Sequence, residues 1–112
     1  MSIEYEIVSR VCEIFEAEGY DMRAYDYEGC LSKRSGEAQY ILNELFNEQQ
    51  QPILDEFKLN TYQKDNPKRN GVVQFVFEND DALDCLADYS ISLEEILKPV
   101  NDWIKELSND VG

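Results

Sequence analysis

The stretch ISLEEILKPVNDWIKEL, residues 91–107, decides the fold. Ser92 and Glu95 have the spacing of a capping box, and Ile91 and Ile96 have that of a hydrophobic staple, so a helix is predicted to begin here. The apolar spacing continues through a proline, which predicts one kinked helix. We expect the other elements to pack against its apolar stripe, which holds the only tryptophan of the chain and consists of Leu93, Ile96, Leu97, Val100, Trp103, Ile104 and Leu107.

Residues 2–18 are predicted to form the first helix. Ser2 is a suitable N-cap and Gly19 a suitable stop, and apolar residues recur at helical spacing between them. A strand is predicted over residues 21–27, where apolar and polar side chains alternate. Gly29 then indicates a turn or bulge, and a short second strand is predicted after it.

The middle of the chain predicts a helix followed by a hairpin. The helix begins at Ser35 and breaks or kinks near Gln51, because the residue before Pro52 is biased away from helical geometry. Residues 58–64 and 72–78 alternate in polarity and are separated by turn residues. These two segments predict an antiparallel β-hairpin.

A further short helix is predicted from residue 79 or 80 through Tyr89. Asp81, Asp84 and Asp88 would lie along its outer side. The order of elements predicts an α+β fold, in which about four helices cover one face of a small, mainly antiparallel sheet. A chain of 112 residues is expected to form a single compact domain over residues 1–112.

Charge is the main functional clue in the sequence. The chain has 24 acidic and 10 basic residues and a formal net charge of −14. Residues 1–30 carry −6, residues 31–70 are balanced, and residues 71–112 carry −8. A field of this sign repels nucleic acid and anionic membranes and speeds encounter with basic surfaces. The predicted partner is therefore a basic protein, with no direct binding to nucleic acid or to a membrane.

Several classes of protein are disfavoured by what the sequence lacks. It has no histidine, which is the commonest general base and metal ligand, and no phosphate-binding or calcium-binding loop motif. We therefore expect neither an enzyme nor a cofactor or metal site. Cys12, Cys30 and Cys85 form no CxxC pair, and this pattern favours free thiols. The absence of a long apolar run and of a signal-peptide pattern predicts a cytoplasmic location.

The acidic helix faces carry the functional hypothesis. Carboxylates three or four positions apart on a helix have Cβ atoms roughly 5–6 Å apart, which approximates the spacing of phosphates along a nucleic-acid strand. Alternatively, the acidic helix faces are ordinary solvated surfaces, and the tyrosines cover the second side of a thin sheet. The residues predicted to bind the partner are Glu13, Glu16, Asp81, Asp84, Asp88, Glu94 and Glu95, with Tyr25 and Tyr27 as aromatic anchors.

Three functions agree with these features. The leading hypothesis is a non-enzymatic inhibitor that mimics nucleic acid and blocks the basic channel of a DNA- or RNA-handling enzyme, as anti-restriction and anti-CRISPR proteins do. The second is an immunity protein that neutralises a basic toxin nuclease. The third is a small acidic adaptor or secretion chaperone, acting as a homodimer through an apolar surface. The first two require the surplus carboxylates to share one side of the folded domain.

Overall fold

The structure is a computed structural model, and it describes residues 2–77 and 81–111. Three α-helices lie in these ranges: α1 (Ile3–Ala17), α2 (Ala38–Leu45) and α3 (Glu94–Val111). The strands are β1 (Tyr20–Asp26), β2 (Gly29–Cys30), β3 (Glu56–Gln63), β4 (Gly71–Val76) and β5 (Leu86–Tyr89). The predicted α+β class is confirmed, with three helices in the described ranges where about four were expected. None of these helices is long and apolar enough to cross a membrane.

The five strands form one sheet in the order β2-β1-β3-β4-β5, and every neighbouring pair is antiparallel. Side chains alternate between its two faces. One face is packed against the helices, and its fully buried residues include Met22, Ala24, Leu59, Val73 and Phe75. On the other face Arg23 and Lys58 are exposed. We call this second face the open face.

The first helix agrees with its prediction. The hydroxyl of Ser2 accepts a hydrogen bond from the Tyr5 backbone N–H at 3.1 Å, so it is the N-cap. Gly19 follows the helix with φ +79°, a conformation that favours glycine and ends the helix. The apolar stripe of α1 lies in the core through Ile7, Val8, Val11, Cys12 and Phe15.

The last helix has the predicted stripe but not the predicted start. It runs without a break through Pro99. Leu97 within the helix and Leu93 directly before it are fully buried. The capping box and the staple are wrong, since the Ser92 hydroxyl donates to the Asn70 carbonyl at 2.9 Å and Ile91 is 88% exposed. A turn of 3₁₀-helix over Ile91–Leu93 stands before α3 and directs Leu93 into the core.

Two other predictions need changed boundaries. The middle helix ends at Leu45 and not near Gln51, because Phe46 turns into extended backbone and the Asn47 carboxamide oxygen accepts the N–H groups of Gln49 and Gln51. The hairpin is present, but its strands span residues 56–63 and 71–76. Position 78, the last residue of the predicted hairpin, lies outside the described residues.

The prediction of a helix that ends at Tyr89 is wrong. Positions 79 and 80, where it was to begin, lie outside the described residues, and the chain after them forms a 3₁₀ turn (Ala82–Asp84) followed by β5. Leu83 and Leu86 contact the core from this turn and strand. The spacing of Leu83 and Leu86 is therefore compatible both with the predicted helix and with the observed turn and strand. Pairing with β4 favours the strand.

Candidate functional site

The predicted site residues lie on two sides of the molecule. Helices α1 and α3 carry Glu13, Glu16, Glu94 and Glu95, all of them exposed. The remaining members of the predicted set belong to the strands and turns. We call the solvent-facing surface of α1 and α3 the helix side, and compare it with the open face of the sheet.

Helices α1 and α3 run antiparallel. The guanidinium carbon of Arg10 lies 3.7 Å from the centre of the Trp103 ring, and Glu18, just after α1, lines a cavity with Glu95 near the start of α3. The outer surfaces of the two helices therefore lie side by side. Among the side chains that the structure describes in them, eight acids reach solvent against three bases: Glu4, Glu6, Glu13, Glu16, Glu94, Glu95, Asp102 and Glu106 against Arg10, Lys98 and Lys105.

The surface of α3 has two different stripes. Glu95, Asp102 and Glu106 share the outermost ridge, because positions seven and eleven residues apart lie on the same side of a helix. Glu94 and Glu95 both line a cavity with Lys98 and Lys105, so both glutamates have basic side chains nearby. Of the two predicted glutamates, only Glu95 also lines the cavity that Glu18 and Arg69 share.

One ion pair joins the two stripes. Lys98 Nζ lies 2.9 Å from Asp102 Oδ2, four residues further along the helix. The hydrogen bond from Lys98 lowers the pKa of the exposed Asp102 carboxyl. Lys98 thus neutralises part of the charge at the edge of the ridge, while Glu95 and Glu106 add to the field of the helix side.

The open face is nearly balanced in charge. Its strands contribute Asp21, Glu56 and Asp88 together with Arg23 and Lys58. Two further bases reach it from loops: Arg34 Nε lies 3.0 Å and Lys64 Nζ 3.7 Å from Asp21 Oδ2. Arg34 also lies over the Tyr62 ring, 4.2 Å from its centre. Three acids and four bases therefore meet on this face within the described residues.

The two predicted tyrosine anchors lie with the open face. Tyr25 and Tyr27 line a cavity of about 200 Å³ together with Lys58 and Gln74. Tyr27 is 88% exposed, in the turn between β1 and β2. Asp26, between the two tyrosines, accepts the N–H groups of Glu28 and Gly29 and so holds this turn. The tyrosines are thus separated from the carboxylates of the helix side.

Asp81, Asp84 and Asp88 do not form the predicted helical stripe. Asp81 caps the 3₁₀ turn by accepting the Leu83 N–H at 3.0 Å, and Asp84 is the last residue of that turn. Asp88 lies in β5 opposite Gln74 and accepts the N–H of Tyr89 at 2.8 Å. Asp88 therefore belongs to the open face, and the other two to the turn beside α1.

The three thiols fall into two classes. Burial raises the pKa of Cys12 to about 12, with smaller contributions from the Glu13 and Glu16 carboxylates. Burial also raises the pKa of Cys85 to about 12, followed by the charge of Glu4. Both side chains are protonated, apolar parts of the core at neutral pH. Cys30 is exposed on β2.

Sequence reasoning missed one feature of the helix side, a groove between α1 and α3. It has a volume of about 250 Å³ and is lined by Arg10, Glu13, Ile14, Ala17, Pro99 and Val100. Ala17 and Pro99 lie off the buried stripes of their helices and are exposed. Small apolar side chains at solvent-facing helix positions were the signal available in the sequence.

Among the residues that the structure describes, no group of three or more Cys, Asp or Glu side chains is arranged to hold a metal ion. Comparison of the chain with protein-family models, with curated proteins and with solved structures finds no match. The interpretation of function therefore depends on the surfaces of this chain alone.

Proposed function

We propose that this chain is a non-enzymatic binding protein whose helix side mimics nucleic acid and blocks the basic channel of a DNA- or RNA-handling enzyme. One observation carries the proposal, the contrast in charge between the two sides. The helix side has eight described acids against three bases, whereas the open face is nearly balanced. Like charges held together repel one another, so a surface that concentrates them favours a role in binding.

The inhibition would be competitive. Carboxylates of the helix side take the places of phosphates against lysines and arginines of the target. Affinity should fall as salt is added, because exposed charges are screened over about 10 Å at 0.1 M ionic strength. Charge of this sign also speeds the encounter with a basic channel.

The geometry narrows the set of residues that we assign to this surface. Glu13 and Glu16 on α1 and Glu95 on α3 are its centre. The turn carrying Asp81 and Asp84 extends the acidic surface at the N-terminal end of α1, since α1 contacts this turn and the charge of Glu4 acts on Cys85 directly after it. Asp88, Tyr25 and Tyr27 lie with the open face and are not required for contact through the helices. Glu94 is not required either, because it lines the cavity at Tyr89 and not the one that Glu95 shares with Glu18.

The proposal is tested by capturing partners from the native host with three forms of the chain. The test variant is Glu13→Lys/Glu16→Lys/Glu95→Lys. The matched control, Glu48→Lys/Asp55→Lys/Glu56→Lys, makes the same change of charge at three exposed positions away from α1 and α3. We expect a nucleic-acid-binding enzyme that wild type and control retain, that the test variant loses, and that either duplex DNA or RNA elutes.

Two other results would favour a different function. Capture of a single toxin nuclease encoded beside this chain, with the same dependence on the helix side, would favour the immunity protein. A partner that all three forms retain equally and that neither DNA nor RNA elutes would contradict nucleic-acid mimicry. It would favour the adaptor or secretion chaperone, whose working surface is apolar.

A further inference from the structure

The groove between α1 and α3 is an apolar depression in the middle of the acidic helix side. Ile14 is half-buried and Val100 is buried, so these two side chains form its floor. Ala17 and Pro99 leave space above them, because neither has a long side chain. Pro99 also lacks a backbone N–H, so its exposed surface is a hydrocarbon ring. The groove of about 250 Å³ is large enough for one aliphatic side chain.

Arg10 and Trp103 form a preordered pair beside this groove. The Arg10 guanidinium lies over the indole ring at 3.7 Å, and Arg10 lines the groove as well. Arginine and tryptophan are enriched among the residues that dominate binding energy at protein interfaces. A side chain already held by stacking loses less conformational freedom when a partner binds. The pair therefore suits a wall of a binding site.

The charges around the groove indicate the chemistry of its occupant. Glu13 lines the groove together with Arg10, and Glu18 and Glu95 line the neighbouring cavity together with Arg69. Over the described surface of α1 and α3 as a whole, eight acids reach solvent against three bases. An apolar centre with acidic surroundings is complementary to an apolar side chain flanked by cations. A second copy of this chain is a poor fit, because it would bring another acidic helix side against the first.

We propose that the groove anchors a basic amphipathic segment of the partner protein, with an aliphatic side chain in the groove and lysines or arginines against Glu13 and Glu95. This inference rests on the proposed function, and it adds an apolar contact that phosphate mimicry alone does not require. It also explains why the only tryptophan of the chain is partly exposed beneath Arg10.

The test uses two synthetic helical peptides of equal charge as probes. One consists of leucine and lysine, and the other has serine in place of leucine. Binding is followed by the fluorescence of Trp103, the only tryptophan. We expect the leucine peptide to bind at least about tenfold more tightly, which is the lower end of the effect of burying one leucine side chain.

The decisive variant is Ala17→Glu, which places a charge in the groove while making the chain more acidic. We expect it to remove the advantage of the leucine peptide. Pro99→Glu should do the same. We expect this variant to keep α3 helical, because glutamate has a higher helix propensity than proline. Ala87→Glu, at an exposed position on β5, is the matched control and should leave both affinities unchanged.

The possible failures are distinguishable. If Glu13→Lys/Glu95→Lys weakens both peptides but Ala17→Glu and Pro99→Glu change nothing, the groove is not the anchor, and the proposed function stands. If none of these variants affects either peptide, both proposals are overturned. A dimer of the wild-type chain in sedimentation velocity that Ala17→Glu dissociates would assign the groove to a second copy and overturn the inference.

Discussion

The two faces of the sheet are made from alternate residues of the same strands, yet they differ in burial and in charge. In β3, Leu59 is fully buried under the helices, while the neighbouring Lys58 is exposed. Above Leu59, α1 and α3 carry most of their charge as unbalanced carboxylates. On the side of Lys58, acids and bases meet across the strands, with Asp21 contacting Arg34 and Lys64. The excess charge is therefore concentrated over the hydrophobic core, where packing can offset its repulsion.

The largest expected effect is a difference in stability between the two sides of β3. Leu59→Ala removes a fully buried side chain and should lower the free energy of unfolding by about 2–5 kcal/mol. Lys58→Ala, one residue away on the open face, should change it by less than about 0.5 kcal/mol. Urea denaturation measures both values. Equal losses would contradict the assignment of a covered and an open face.

The next effect concerns the pH dependence of stability. The folded pKa of Cys12, about 12, lies above its ordinary value of 9.0, so the unfolded chain releases this proton first as pH rises. Stability due to the neutral thiol is full below pH 9.0 and is lost between pH 9.0 and about 12. The expected slope is about 1.4 kcal/mol per pH unit for one such thiol.

Denaturation of wild type and Cys12→Ala between about pH 8 and about pH 11 measures this slope. Cys12→Ala should show a shallower loss than wild type. Cys30→Ala, at an exposed thiol on β2, should follow wild type. Identical slopes for wild type and Cys12→Ala would show that the Cys12 thiol is not protected in the fold.

The smallest effect is the change in stability when one carboxylate is neutralised, and we expect its sign to differ between the two sides. Glu16→Gln removes a repulsion with Glu13 three residues away and a negative charge in the last turn of α1, so it should raise stability by about 0.2–0.5 kcal/mol at low salt. Asp21→Asn removes the partner of Arg34 and Lys64, and it should lower stability by about 0.2–1 kcal/mol. Denaturation at low and high salt should show both differences shrink as salt is added. The same sign for both variants would contradict the contrast in charge between the two sides.

Local patterns in the sequence predicted the elements whose signals are themselves local. The cap at Ser2, the stop at Gly19 and the apolar stripe of α3 depend on residues close together in the chain, and the structure confirms them. The start of α3 was wrong because Ser92 bonds to Asn70, 22 residues away. Strand β5 was predicted as a helix because its partner, β4, lies in a separate segment of the chain.

The candidate site was predictable only in part for the same reason. The composition led us to predict an acidic binding protein, but the side on which each carboxylate lies depends on packing between distant segments. The antiparallel arrangement of α1 and α3 brings Glu13 and Glu95 to one surface. Strand alternation turns Tyr25 and Asp88 to the other face of the sheet. The groove at Ala17 and Pro99 exists only once the two helices are side by side.

The central claim is that a basic partner binds to the helix side and not to the open face. Amide chemical-shift mapping with an oligolysine peptide tests it most directly, because each residue reports separately. We expect the largest shifts in α1 and α3, around Glu13, Glu16 and Glu95, and a loss of these shifts as salt is added. Largest shifts at Tyr25, Lys58 and Asp88, or shifts of equal size on both sides of the sheet, would contradict the claim.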